Sequence, residues 1–181
     1  MKYFKILFIP IVLLIVGITI SCERDDICPE ITSTTPDLII DLFDYSNEDS
    51  SKNVFKLVIA GVGSETILPG YELVTSNELV LPLKTTENST QYRLLEGATV
   101  NDNDTPDDAT DDYYEGNEDI ITINYTRTEV FVSRACGYKT IFEDVTIQLE
   151  SDEDNWIKSI SPLNANQSVE DETEAHFNLF H

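Results

Sequence analysis

The alternation of apolar and polar residues with a period of two is the feature that most constrains the fold. In the segment DVTIQLE, Val145, Ile147 and Leu149 alternate with polar residues. Successive side chains of a strand point to opposite faces, so this pattern predicts a strand with one buried and one solvated face. Similar segments recur between turn-forming residues, and no segment shows a sustained helical period. The sequence predicts an all-β fold, a single antiparallel β-sandwich that is immunoglobulin-like in outline, with a small β-barrel as the alternative.

About nine short strands are expected, and several carry specific predictions. In TPDLIIDLFDYS, Leu38, Ile40 and Leu42 share one face, and the polar run SNEDSSKN that follows is predicted to be a turn. VFKLVIAGVG places Phe55, Leu57 and Ile59 on one face of a strand that is expected to pair with the preceding one. Pro82 interrupts NELVLPLKT, which predicts an edge strand or a bulge. The segments NWIKSISPL and EAHFNLFH are predicted as two closing strands.

Residues 101–119, NDNDTPDDATDDYYEGNED, contain nine acidic residues and no basic one. Such a segment is predicted to be a mobile, solvated β-hairpin insertion that contributes nothing to the core. The alternative is a calcium site, because carboxylate oxygens at alternating positions are the ligands that Ca²⁺ prefers. This loop lacks the glycine at position six and the glutamate at position twelve of an EF-hand. The candidate ligands are Asp102, Asp104, Asp107 and Asp108.

The N-terminal segment predicts export and lipidation. Lys2 and Lys5 precede an apolar run that is too short to span a bilayer and ends at Ser21 and Cys22. This arrangement is typical of a secretory signal and resembles a bacterial lipobox, in which the cysteine is acylated. We therefore predict a signal peptide at 1–21, a lipidated tether at 22–35 with the lipid on Cys22, and a β-sandwich domain at 36–181. An uncleaved anchor is the alternative.

Charge patterning bears on location and partners. Glu23, Arg24, Asp25 and Asp26 resemble a signal that sends lipoproteins to the outer face of the outer membrane, although a solvated charge cluster is the alternative interpretation. The whole chain has a formal net charge of −23. Nucleic-acid binding relies on Lys and Arg that displace counterions from phosphates. A chain with this much negative charge is therefore not expected to bind nucleic acid.

The two cysteines that follow Cys22 are Cys28 and Cys136. An even pair in an oxidising compartment predicts a disulfide, which would join the tether to a distant part of the sequence. The alternative is a Cys136 nucleophile assisted by His176, for which no local motif is present.

Sequence motifs of catalysis are scarce. His176 and His181 are five residues apart, so in an extended strand they point to opposite faces, and a histidine in a terminal strand is expected to be partly exposed. The GVGSE segment has Thr66 where a dinucleotide-binding loop needs its third glycine. Trp156 fits a core position better than a sugar-stacking platform. We predict no catalytic residue and no cofactor.

Four segments resemble a family of uncharacterised Bacteroidetes-type lipoproteins that is known as a domain of unknown function. They are CERDDIC, VFVSRACGYKTIF, DNWIKSI and AHFNLFH, and Arg134 to Gly137 is the most specific part. The resemblance runs from Cys22 to His181. It implies a single β-rich lipoprotein domain that retains Cys28 and Cys136, and it implies no activity.

Two functional hypotheses follow. The first is an outer-membrane lipoprotein that acts as a non-enzymatic binding or envelope-assembly module, with a protein or a glycan as partner and loops at one end of the sandwich as the binding surface. The second is a carboxylate-dependent hydrolase that acts on glycans. A hydrolase of this kind needs two convergent carboxylates about 5–9 Å apart in a cleft.

Overall fold

The computed structural model describes residues 27–32, 34–64 and 66–181. The predicted signal peptide, the lipidation site Cys22 and the predicted export signal Glu23 to Asp26 lie outside the described residues. Within the described residues there are ten strands and no helix. The strands are β1 (Leu38–Asp44), β2 (Asn47–Ser51), β3 (Val54–Gly61), β4 (Val74–Ser76), β5 (Glu78–Leu81), β6 (Ser89–Asn101), β7 (Tyr113–Ser133), β8 (Gly137–Leu149), β9 (Ser159–Pro162) and β10 (Phe177–Phe180).

The strands form two five-stranded sheets. The first has the order β2-β1-β10-β9, and β5 also pairs with β1. β1 runs parallel to β10 and antiparallel to β2 and β5. The second sheet has the order β4-β3-β6-β7-β8. Both sheets remain open in the described part of the chain, so the predicted all-β sandwich is confirmed and the small barrel is excluded.

The described chain forms two compact units. The smaller unit holds residues 27–32 and 131–138, and the larger unit holds residues 34–130 and 139–181. Both sheets belong to the larger unit except for the end of β7 and the start of β8. No helix in the described ranges is long and apolar enough to cross a membrane.

The core of the larger unit follows the predicted alternation where strands are regular. Leu38, Ile40 and Leu42 of β1 are fully buried, as their shared face predicts. Trp156 is also buried, and its indole N–H donates to the carbonyl oxygen of Leu94 at 3.3 Å. The core position predicted for Trp156 is therefore confirmed, and its ring does not form a sugar-stacking platform.

Two predictions near the start of the domain are wrong. The polar run predicted to be a turn contains β2, whose five residues are all exposed while their backbone pairs with β1. β3 pairs with β4 and β6 and not with the preceding strands. A register shift lies between Val54 and Leu57, where Lys56 has a φ of 50°. This irregularity turns Phe55 outward, although a strict period of two had placed it with the buried Leu57.

The acidic segment forms the predicted β-hairpin, but one of its residues lies in the core. β6 and β7 remain paired as far as Asn101 and Tyr113, so the connection between them is restricted to residues 102–112. Asp119 lies within the segment that was expected to stay out of the core, yet its exposed fraction is 0%. The strand alternation places it on the buried face of β7, beside Ile121 and Ile123. The acidic composition of residues 101–119 gave no sign that β7 begins within them, at Tyr113.

The remaining edge and closing strands agree with expectation. β5 ends at Leu81, directly before Pro82, and lies beyond β1 at the edge of its sheet. Proline has no backbone N–H to donate, so its position explains where the ladder stops. β9 and β10 are the two predicted closing strands, and they pair antiparallel.

Candidate functional site

An open groove lies at one end of the larger unit, where β3 ends and β6 begins. Its volume is about 470 Å³, within the range of about 300–1,000 Å³ that is typical of small-molecule sites. Two connecting segments and the first residues of β6 form its walls. The described lining residues, called the groove below, are Gly61, Val62, Gly63, Ser64, Pro82, Leu83, Lys84, Glu87, Ser89, Thr90, Gln91 and Tyr92.

One wall is a tight turn at the end of β3. Gly61 pairs with Tyr92 of β6, and the next residue still donates from its backbone, Val62 N–H to Gln91 O at 3.1 Å. The turn closes through Ser64 N–H to Gly61 O at 3.0 Å, with Gly63 at a φ of 77°. That backbone conformation favours glycine because it has no Cβ. The GVG sequence therefore builds a wall that exposes Val62.

The other wall is the connection between β5 and β6, residues 82–88, called the anchored loop below. The hydroxyl of Thr90 accepts the backbone N–H of Lys84 at 3.0 Å, and the hydroxyl of Tyr125 donates to the carbonyl oxygen of Lys84 at 2.9 Å. The two hydroxyls are 2.6 Å apart. Because the phenol proton goes to the Lys84 carbonyl, Thr90 donates to the phenol oxygen. Both backbone groups of Lys84 are thus fixed by side chains from β6 and β7.

Two further side chains hold the ends of the anchored loop. The phenol of Tyr92 donates to the carbonyl oxygen of Pro82, and burial, followed by the charge of Asp37, raises the pKa of Tyr92. The phenol therefore remains a neutral donor. Arg127 donates from Nε to Oδ1 of Asn88 at 2.8 Å and from Nη1 to the carbonyl oxygen of Thr85. The loop is positioned by the strands beneath it.

The described part of the groove is electrically balanced. Lys84 Nζ and Glu87 Oε2 form an exposed ion pair at 3.1 Å, and the other described lining side chains are uncharged. Glu87 is the one carboxylate among the described lining residues. A glycan hydrolase needs a carboxylate pair across its cleft, so these lining residues do not supply that chemistry. Besides the hydroxyls that hold the loop, they offer the hydroxyl of Ser89 and the amide oxygen of Gln91, and such polar groups suit binding.

The predicted disulfide between Cys28 and Cys136 is present, with an S–S distance of 2.03 Å. Both cysteines belong to the smaller unit. The sulfur of Cys136 is consumed in this bond, so it is not available as the nucleophile considered from the sequence.

Both histidines are buried, which corrects the expectation that they are partly exposed. Ile39 N–H donates to Nδ1 of His176 at 3.0 Å, and Nε2 lies 3.0 Å from the Asp171 carbonyl oxygen. Burial lowers the pKa of His176, so its neutral form joins β1 to the segment before β10. His181 packs edge-on against Trp156, with 5.6 Å between ring centroids. The two histidines have structural partners at opposite ends of β10.

The four predicted calcium ligands lie in the connection 102–112, called the acidic loop below. Oδ1 of Asp102 accepts Asp104 N–H at 3.2 Å, and Oδ1 of Asp108 accepts Thr110 N–H at 3.1 Å. These are local turn contacts. Among the described residues, no group of three or more His, Cys, Asp or Glu side chains is arranged to hold a metal ion. Asp107 therefore belongs to no such group either.

Sequence reasoning missed the groove itself. The GVGSE segment by itself suggests only an incomplete nucleotide-binding loop, and Pro82 only an edge strand or a bulge. A usable signal was available, because a glycine turn after one strand and a proline loop after another are typical of connections that carry binding residues. The two connections lie next to each other only because of how the strands pair. The sequence alone does not show that pairing.

Residues 56–181 match a family described as "Family of unknown function (DUF6452)". The chain belongs to this family. The match begins within β3 and includes every described residue of the groove, the anchored loop and the acidic loop. It includes Cys136, but it begins after Cys28 and so does not include that cysteine. No curated protein and no solved structure matches the chain.

Proposed function

We propose that the chain is an outer-membrane lipoprotein, anchored through an acylated Cys22, that acts as a non-enzymatic binding module for an uncharged glycan. The single observation that carries the binding role is the groove, a concavity whose loop wall is fixed by buried hydroxyls before any ligand arrives. Preorganisation of this kind lowers the entropic cost of binding. The family of unknown function assigns no competing activity.

The chemistry of the groove favours a neutral polar ligand. Val62 gives an exposed apolar contact, and Ser89 offers a hydroxyl. Gln91 donates from Nε2 to Thr122 Oγ1 at 2.9 Å, and this contact orients the amide whose oxygen can accept from a ligand. Anionic ligands are opposed by a net charge of −23, and the cation Lys84 is already paired with Glu87. Sugar rings present both hydroxyls and apolar C–H faces, which matches this mixed lining.

The test is a binding assay with a panel of neutral oligosaccharides and two variants of matched chemistry. Gln91→Arg places bulk and charge on the groove, and Gln148→Arg makes the same change on an exposed residue of β8 that is not among the lining residues. We expect the wild type and Gln148→Arg to bind the same oligosaccharide and Gln91→Arg to lose at least about tenfold in affinity. The binding role is wrong if no neutral oligosaccharide binds, or if Gln91→Arg binds as tightly as wild type.

Surface display is part of the proposal and is tested separately. Protease treatment of intact cells should cleave the wild-type domain, and a variant with Arg24→Ala, Asp25→Ala and Asp26→Ala should be protected. Cleavage of the variant by protease only after cell lysis would support an export role for these residues. If both proteins are protected in intact cells, the residues are part of an ordinary tether and the ligand is periplasmic.

A further inference from the structure

The smaller unit carries a cluster of exposed apolar side chains around the disulfide. Phe131 and Tyr138 flank the turn between β7 and β8, are 56% and 66% exposed, and have ring centroids 5.4 Å apart at an interplanar angle of 67°. On the other side of the disulfide, Ile27 and Ile31 are 80% and 96% exposed. We call Phe131–Tyr138 the aromatic tip. Two exposed aromatic rings that pack on each other form an apolar surface, and burying such a surface against a partner is energetically favourable.

The disulfide limits how far the aromatic tip can be from the predicted lipid. Five residues lie between Cys22 and Cys28, so the six Cα-to-Cα steps of a fully extended chain span at most about 22 Å. The Cα atoms of Cys28 and Cys136 are 4.8 Å apart. An acyl chain on Cys22 inserts into the bilayer, which keeps Cys136 within reach of the membrane surface whatever path the tether takes.

The residue types of the aromatic tip suit the bilayer interface. Aromatic side chains are enriched at that depth, where the ring is apolar and the phenol of Tyr138 contacts water. The tip also contains the exposed Arg134 and no acidic residue, in a chain with 34 Asp and Glu. A segment without acidic residues avoids the repulsion that anionic head groups exert on the rest of the protein.

We infer that the aromatic tip is a second membrane contact, in which Phe131 and Tyr138 insert into the interface of the bilayer that holds the lipid on Cys22. The lipid on Cys22 holds the chain at the bilayer but leaves the domain free to turn about its tether, and a second contact restricts that orientation. This inference rests on the proposed lipidation. It assigns the disulfide a function beyond stability, because the bond holds the tip near the anchor.

The experiment uses the full acylated chain reconstituted into phosphatidylcholine vesicles, some of whose lipids carry bromine on the acyl chains. Bromine quenches tryptophan fluorescence at short range. Tyr138→Trp reports on the aromatic tip, and Phe55→Trp is the matched control, because Phe55 is an aromatic residue of β3 with 63% exposure. The buried Trp156 is common to both proteins and is subtracted with the wild-type signal.

Interfacial segments insert about 5–10 Å, which brings an inserted tryptophan close to the brominated acyl chains. We therefore expect the added tryptophan of Tyr138→Trp to lose at least about twofold more fluorescence than that of Phe55→Trp. Replacing Cys28 and Cys136 with Ser in the Tyr138→Trp protein should reduce this quenching. Equal quenching of the two tryptophan variants in a chain whose mass confirms acylation at Cys22 overturns the membrane contact and leaves the anchor intact. A chain that lacks acylation at Cys22 overturns the proposed anchor and, with it, the membrane contact of the aromatic tip.

Discussion

The anchored loop and the acidic loop both connect strands of the β-sandwich, but they are held in different ways. In the anchored loop, residues 82–88, side chains of β6 and β7 bind the loop backbone at several points. In the acidic loop, residues 102–112, the hydrogen bonds come mainly from the loop's own Asp, Asn and Thr side chains. The strands thus fix the shape of one connection, while the other depends on local turns.

The difference indicates which loop can carry a precise site. A ligand that binds a loop already ordered by buried groups avoids most of the ordering cost, whereas an exposed loop of like charges must be ordered by the ligand itself. Charge is therefore a poor guide to function in this chain. The nine acids of residues 101–119 attract notice in the sequence, while the groove is nearly neutral.

The largest effect is expected at Asp119, the acid that the sheet has placed in the core. Its Oδ2 accepts Ile157 N–H at 2.7 Å and its Oδ1 accepts Asn155 Nδ2–H at 2.8 Å. Asp119→Ala leaves a buried N–H without a partner, which should lower the free energy of unfolding by about 1–3 kcal/mol or more. Urea denaturation measures this change. Asp108→Ala in the acidic loop is the control, and a similar loss of stability in both variants would show that the acidic loop is held as firmly as the buried carboxylate.

The second effect concerns the anchored loop. Tyr125→Phe removes the donor to the Lys84 carbonyl and the partner of the buried Thr90 hydroxyl, so we expect a loss of about 1–2 kcal/mol and weaker oligosaccharide binding. Tyr113→Phe, which deletes the same hydroxyl from an exposed tyrosine beside the acidic loop, should change neither quantity. Chemical denaturation and binding isotherms check both. Unchanged stability in Tyr125→Phe would show that the strands do not hold the loop.

The next prediction is that the carboxyl pKa shifts in opposite directions in the core and in the acidic loop. Burial raises the pKa of Asp119 above 3.8, so protonation of this carboxyl adds stability to the folded state below pH 3.8, and that added stability is lost as pH rises through the folded-state pKa. Hydrogen bonds lower the pKa of Asp108 and Asp111 below 3.8, so their contributions are present above pH 3.8 and are lost as pH falls through the folded-state values. Carboxyl NMR titration measures each group. All three values on the same side of 3.8 would contradict this account.

The smallest effect is expected from removing the acidic loop. Asn101 and Tyr113 form the last pair of the ladder, so residues 102–112 can be replaced by an Asn-Gly turn. Loop-closure entropy changes slowly with length, and the free energy of unfolding should change by no more than about 1 kcal/mol. Oligosaccharide affinity should stay the same. A large loss of affinity would transfer the binding site from the groove to the acidic loop.

The fold class could be predicted because a regular strand buries every second residue, and this produces a visible alternation of apolar and polar residues in the sequence. Leu38, Ile40 and Leu42 alternate as a buried face must, and Pro82 marks where a ladder stops. The same rule failed at Phe55, where one irregular residue shifts the register and exposes an apolar ring. A bulge of this kind changes no composition, so a periodic pattern cannot detect it.

The candidate site was less predictable, since it depends on contacts distant in sequence. Thr90 and Tyr125 are separated by 35 residues and meet on the backbone of Lys84 only because β6 and β7 pair in one register. The burial of Asp119 has the same origin. By contrast, the disulfide was predictable, because cysteine pairing in an oxidising compartment depends on count more than on register.

The groove, and not the acidic loop, is proposed to bind a neutral oligosaccharide, and an amide NMR titration of the folded chain with the best oligosaccharide from the panel locates the site. We expect saturable shifts concentrated at Val62, Lys84 and Gln91, with no comparable shifts at residues 102–112. Shifts confined to the acidic loop, or none at saturating oligosaccharide, would contradict it.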